Sequence, residues 1–190
     1  MEIVDHWVEG ARRRVSSNWN ERPTAEISLI VVHGISLPVG HFGGDYVAAL
    51  FLNELDTSVH PDFVSLEGVK VSSHLYIRRD GTLDQFVALD KRAWHAGASR
   101  FGERENCNDF SIGIELEGTD TSGYREAQYL TLARTTRSII DKYEIPSGHV
   151  AGHSDIAPGR KTDPGPRFDW DGFRKLLDSG DVDAAGVVKS

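Results

Sequence analysis

The sequence predicts an α/β (α+β) domain built as a mixed central β-sheet flanked by helices. Three observations carry this expectation. Ile27 to His33 is a nearly continuous, β-branched apolar run, the pattern of a central strand buried on both faces. Val71 to Arg78 and Thr82 to Leu89 are strand-like and joined through Arg79-Asp80-Gly81, a turn signal, so at least one strand pair is antiparallel. Helical spacing of apolar residues recurs at 44–55 and 125–143, between the strands. A hairpin among interleaved strands and helices excludes a purely parallel sheet.

In chain order, residues 1–26 read as irregular, with Trp7 and Trp19 as anchors. Tyr46, Val47, Leu50, Phe51 and Leu55 form the first helical stripe. Residues 96–108 are polar and glycine-containing and read as a loop. From Phe110 to Gly118 the chain alternates: Phe110, Ile112, Ile114 and Leu116 take one face, Ser111, Gly113, Glu115 and Glu117 the other. Leu130, Ala133, Ile140 and Tyr143 mark the main helix, with Pro146 just beyond its end. His149 to His153 suits a short strand, and Asp169 can cap a last helix carrying Trp170, Phe173 and Leu177. The expected domain covers 1–177. Residues 178–190 are small and acidic and read as a disordered tail.

Composition narrows the function. A formal net charge of -8 argues against a nucleic-acid binder, and no apolar run is long enough for a membrane span. The start of the chain has neither a basic nor an apolar leader segment, and one cysteine, Cys107, suits a reducing compartment. The expected location is therefore cytoplasmic.

Eight histidines must be sorted by position. His33 ends the buried strand, where α/β sheets place ligands. His153 opens a proline-containing segment, and Asp163 lies in the loop Lys161-Thr162-Asp163-Pro164-Gly165-Pro166. Two imidazoles and a carboxylate make a familiar catalytic zinc set with a fourth position left for water. Spacing alone does not decide this, since no compact H-x-x-x-H helix motif is present and scattered histidines also serve as hydrogen-bonding residues. Glu115 by itself also reads as a solvated strand carboxylate, and Lys161 as a surface lysine.

Six segments, in order over roughly residues 7–177, add a resemblance: His33-Gly34-Ile35-Ser36-Leu37-Pro38, Ser72 to Gly81, Arg92-Ala93-Trp94-His95-Ala96-Gly97, Cys107 to Thr119, Gly152 to Pro158, and Arg160 to Gly165. Together they resemble the type 2 N-acetylmuramoyl-L-alanine amidases, closest to the cytosolic branch acting on 1,6-anhydro-N-acetylmuramyl-L-alanine. The resemblance implies the amidase and peptidoglycan-recognition-protein fold, and hydrolysis of the amide between the muramyl lactyl group and L-Ala in peptidoglycan recycling. It implies Zn2+ on His33, His153 and Asp163, with Glu115 and Lys161 as catalytic residues and an anhydromuropeptide as substrate partner. Physical reasoning fits: Glu115 can move a proton from the attacking water to the leaving amine, and the Lys161 cation can stabilise an oxyanion. Trp94, His95, Ala96 and Gly97 are the expected substrate groove, where an extended stem peptide could add to the backbone, and Arg104 or Lys70 could meet its carboxylates. His74 reads equally as a structural or a site histidine. Two departures from the family pattern, Gly34 for Asn and Asn106 for Arg, bear on peptide preference. A non-catalytic peptidoglycan-binding protein and an amidase of intact wall are the competing expectations.

Overall fold

A computed structural model describes residues 1–179. Its sheet has six strands: β1 (Arg12–Arg13), β2 (Leu29–Ile35), β3 (Leu75–Ile77), β4 (Leu83–Gln85), β5 (Ser111–Glu117) and β6 (Val150–Gly152). They lie in the order β6-β2-β5-β3-β4-β1. Strands β6, β2, β5 and β3 run parallel, and β3 and β4 form the expected antiparallel hairpin. The sheet is mixed, as expected. Helices α1 (Tyr46–Phe51), α2 (Glu126–Tyr143) and α4 (Trp170–Ser179) flank it, and α3 (His153–Ile156) is a single turn beside the site.

The central strands are apolar on both faces because both faces are covered. Ile30 and Val32 of β2, with Ile112, Ile114 and Leu116 of β5, pack against Leu132 and Ile139 of α2 and Phe173 and Leu177 of α4. On the opposite face Leu29 and Val31 meet Ala96, Cys107, Phe110 and Ile156. The alternation read along β5 holds, but its polar face is not solvated: every residue of the strand is buried. That face is an internal polar seam, and it leads to the site.

Several boundaries differ from the expectation, each for a local reason. Helix α1 stops at Phe51 because the Phe51 carbonyl accepts from Ser16 Oγ and Asn18 Nδ2, and Asn53 then turns left-handed (φ 61°). The hairpin strands shorten to three residues each. The first 26 residues are not wholly irregular, since Arg12–Arg13 pairs with Asp84–Gln85 at the sheet edge. Trp19 packs on the cluster around Phe51 and Tyr76, whereas Trp7 lies outside the cores under the Arg13 guanidinium, 3.7 Å from its ring. The 96–108 loop contains a two-residue ribbon, Arg100–Phe101 with Arg104–Glu105. Asp169 caps α4 through a 2.9 Å bond from Gly172 N–H. That helix continues to Ser179, past the expected boundary at 177, and the rest of the expected tail, 180–190, lies outside the described residues. Among the described residues no helix is long and apolar enough to cross a membrane.

Candidate active site

Register assembles the site. In the parallel β2–β5 pair His33 lies opposite Glu115, and in β6–β2 Gly152 lies opposite Val32. His153, the next residue, therefore emerges beside His33 at the C-terminal edge of the sheet, where open α/β sheets bind ligands. Asp163 arrives from the loop after α3, held there by Ser154 N–H donating to its carbonyl at 2.9 Å.

The three expected ligands converge. His33 Nδ1 lies 2.9 Å from His153 Nδ1 and 3.3 Å from Asp163 Oδ2, and His153 Nδ1 lies 3.1 Å from the same oxygen. Among the described residues they form the group of His, Cys, Asp and Glu whose ligand atoms come within 4.8 Å of one another. Tetrahedral zinc, with bonds of about 2.0–2.1 Å, keeps its ligand atoms roughly 3.3 Å apart, so the spacing suits that ion. Hydrogen bonding sharpens the fit. His153 Nε2 lies 3.0 Å from the Ala96 carbonyl, which can only accept, so the proton of the neutral ring sits on Nε2. Its Nδ1 then turns a bare lone pair toward a carboxylate oxygen, an arrangement made favourable by a cation between them.

Electrostatics point the same way. Burial pushes His33 down to about 4, a neutral imidazole suited to ligation. Burial opposes the Asp163 charge, but the close imidazoles of His153 and His33 outweigh it and hold the carboxyl far below the usual range. Burial, and then the Asp163 charge, drive Glu115 well above its ordinary value, while the Lys161 cation pulls it back. Glu115 Oε1 lies 3.9 Å from His33 Nδ1, and its Oε2 is buried without a hydrogen-bond partner. An orphaned carboxylate oxygen beside three converging ligands is where a reacting water fits. Lys161 is exposed on the rim, and its charge reaches both Glu115 and His33.

A family model described as N-acetylmuramoyl-L-alanine amidase matches residues 23–166. The chain belongs to the N-acetylmuramoyl-L-alanine amidase family. Among its amidase relatives, 1,6-anhydro-N-acetylmuramyl-L-alanine amidase AmpD of Escherichia coli (strain K12) is 55% identical over 93% of this chain and 97% of its own length. AmpD of Haemophilus influenzae is 45% identical over 85% of this chain and 89% of its own. A crystal structure of a selenomethionine derivative of AmpD superposes with a TM-score of 0.91 at 51% identity, covering 93% of this chain and 99% of that one. The amidase AmiD from E. coli, solved with the substrate anhydro-N-acetylmuramic acid-L-Ala-D-γ-Glu-L-Lys, gives 0.59 at 27% identity, covering 83% of this chain and 60% of that one.

Other residues expected in the amidase site fall differently. Arg104 is not at the site: its guanidinium pairs with Glu26 at 2.5 Å, bonds Ser28 Oγ and covers the Phe110 ring at 3.8 Å. Those partners lie at the N-terminal end of β2, five residues or about 16 Å from His33 along the strand. Much of the 94–97 backbone is engaged within the chain. Trp94 O accepts from Ser72 N–H, His95 N–H and Ala96 N–H both go to Asn108 Oδ1, and Ala96 O takes His153 and Arg160. Trp94 stays half-buried, its indole N–H held by Asn20 Oδ1 at 2.7 Å, and Gly97 is exposed. The His95 nitrogens are also spent, on His33 Nε2 and Ser111 Oγ. His74 is structural: Nδ1 accepts from Gly113 N–H and Nε2 donates to the Lys91 carbonyl.

Two residues at the site were not signalled by the sequence. The Tyr124 hydroxyl donates to the Pro164 carbonyl at 2.8 Å, directly after Asp163, and fills the space a side chain at Gly34 would take. Ser111 meets His95 from the buried strand. Tyr124 has no local pattern that marks it, and alternation places Ser111 on the polar face with Glu115 without indicating what it meets.

Proposed function

We propose that the chain is a zinc amidase that hydrolyses the bond between the lactyl group of 1,6-anhydro-N-acetylmuramic acid and L-Ala of the stem peptide. The observation that carries the reading is the trio of inward-turned acceptors, His33 Nδ1, His153 Nδ1 and Asp163 Oδ2, beside the unpartnered Glu115 Oε2. His33, His153 and Asp163 would hold the ion, which supplies Lewis-acid polarisation of the scissile carbonyl and a more acidic water. Glu115 would take the proton of the attacking water and deliver it to the departing L-Ala amine, so the carboxyl ends the cycle as it began. The Lys161 cation, on the rim, stabilises the charge that develops on the carbonyl oxygen. The half-buried Trp94 and the exposed Gly97 supply surface for the substrate, and the Ala96 carbonyl acts from behind by orienting His153.

Preference for the soluble anhydro fragment is supported by the high identity to enzymes named for that substrate. A net charge of -8 gives no long-range attraction to anionic wall polymers, and the buried Cys107 suits the cytoplasm. The test is competition between 1,6-anhydroMurNAc-peptide, MurNAc-peptide with the same stem, and purified sacculi. The anhydro fragment should have the highest kcat/KM. Equal or better values on the non-anhydro fragment, or efficient digestion of sacculi, would remove the recycling role and leave the amidase chemistry.

A further inference from the structure

We infer that His95 is a positioning residue for the metal centre: it fixes which nitrogen of His33 is free to bind the ion. This rests on the metal site proposed above and goes beyond it, because it assigns a direction to a row of hydrogen bonds. His33 Nε2 lies 2.9 Å from His95 Nδ1, and His95 Nε2 lies 3.2 Å from Ser111 Oγ. Such a row can run in two senses. In one, Ser111 donates to His95, His95 donates to His33, and the His33 proton occupies Nδ1, facing His153 and Asp163. In the other, His33 Nε2–H donates to His95 Nδ1, His95 Nε2–H donates to Ser111 Oγ, and His33 Nδ1 keeps its lone pair. A metal ion is compatible with the second sense alone.

The packing holds His95 where this requires it. Its ring lies on Gly113 of β5, where a Cβ would come 2.5 Å from the ring, so the strand carries a glycine under the imidazole. The His95 ring meets the His33 ring edge-on, with centroids 5.0 Å apart, and the His74 ring at 5.7 Å. Its backbone N–H and that of Ala96 are gathered by Asn108 Oδ1, which fixes the segment from which the ring projects. That segment serves both histidine ligands: the His95 ring receives His33 Nε2–H, and the neighbouring Ala96 carbonyl receives His153 Nε2–H. One short stretch, His95-Ala96, thereby turns both Nδ1 atoms toward Asp163.

The experiment measures zinc affinity by chelator competition in the wild type, His95→Phe and His95→Asn, with folding checked by circular dichroism. Phenylalanine keeps a ring on Gly113 but has no acceptor, and zinc should bind about 10–100-fold more weakly. Asparagine can present Oδ1 near the Nδ1 position and should recover most of the loss. In parallel, long-range 1H–15N spectra of the zinc-loaded wild type should show His33 protonated on Nε2 and ligating through Nδ1. Affinity of a folded His95→Phe within twofold of wild type would overturn the inference, as would a His95→Asn as weak as His95→Phe. His33 ligating through Nε2 in the wild-type spectra would also overturn it, and this readout stands if a variant fails to fold. A wild type that binds no zinc would instead sink the metal reading, and this inference with it.

Discussion

Glu115 and Glu117 lie on the same face of β5, two residues apart, and exchanging each for glutamine should have opposite effects on stability and very unequal effects on rate. Glu117 is fully engaged: Oε1 accepts from Gly43 N–H at 2.5 Å and Oε2 from Arg79 N–H at 2.9 Å. Glutamine keeps one acceptor and turns an NH2 group against the other donor. Losing one bond to a charged group costs about 1.5–3 kcal/mol, and about 2–4 °C per kcal/mol applies to a chain of this size, so the Tm should fall by roughly 3–12 °C. Glu115 is the reverse case, with a buried Oε2 that has no partner and the Asp163 charge nearby. A neutral amide there removes a destabilising charge, and the chelated protein should gain about 1–2 kcal/mol at neutral pH, or roughly 2–8 °C. The pH dependence has a fixed sign. Because the folded carboxyl titrates well above its ordinary 4.5, the wild-type apo protein loses stability as pH rises from about 4.5 through the folded value, and Glu115→Gln should lack that slope. In the zinc-loaded protein, Glu115→Gln should lower turnover by about 10²–10⁴-fold, while Glu117→Gln stays far milder. Thermal unfolding with chelator across pH, and amidase rates with zinc, provide the assay. A Glu117→Gln that loses more turnover at full metal occupancy, or a Glu115→Gln that lowers apo stability more than Glu117→Gln does, would refute the reasoning.

Three further outcomes follow from the same structure. Lys161→Ala should fold and keep zinc but lose about 10²–10³-fold in rate, read by kinetics together with elemental analysis, since the lysine is exposed and contributes its charge. Gly113→Ala drives a methyl into the His95 ring, at 2.5 Å, and should cost about 1–3 kcal/mol in denaturant unfolding and weaken zinc binding as well. Asp45 is held down to about 2, chiefly by the Arg14 guanidinium against the cost of burial, with Arg78 adding to it. Its side chain is 61% exposed, so solvent screening limits Asp45→Asn to at most about 1 kcal/mol. That difference should be full above about pH 3.8 and vanish as pH falls through about 2.

What the sequence made legible was what local pattern or motif spacing encodes. The 27–33 run announced a two-face buried strand because both covering layers demand apolar side chains. Alternation at 110–118 placed Glu115 on the polar face, and the register of β5 on β2 then set it opposite His33. The destinations of hydrogen bonds were not legible. His95 and Ala96 belonged to a recognised segment and suggested a groove, yet the His95 ring nitrogens, both backbone N–H groups and the Ala96 carbonyl go to His33, Ser111, His153 and Asn108, residues distant in the chain. Arg104 looked available because a basic residue carries no sign of which sheet edge it will occupy. Two-residue Arg12–Arg13 has no periodicity to detect, and α1 ends early because Ser16 and Asn18, thirty-odd positions upstream, take its last carbonyl.

The central claim is that His33, His153 and Asp163 hold a zinc ion that this chain uses to cut the lactyl–L-Ala amide. Mass spectrometry of 1,6-anhydroMurNAc-tripeptide incubated with the protein tests it most directly, with the same sample run after chelation and after zinc is restored. The account predicts free anhydroMurNAc and free tripeptide beginning with L-Ala, no products after chelation, recovery with zinc, and none from His153→Ala. Cleavage within the peptide, or the same products at an undiminished rate in the chelated protein, would contradict it.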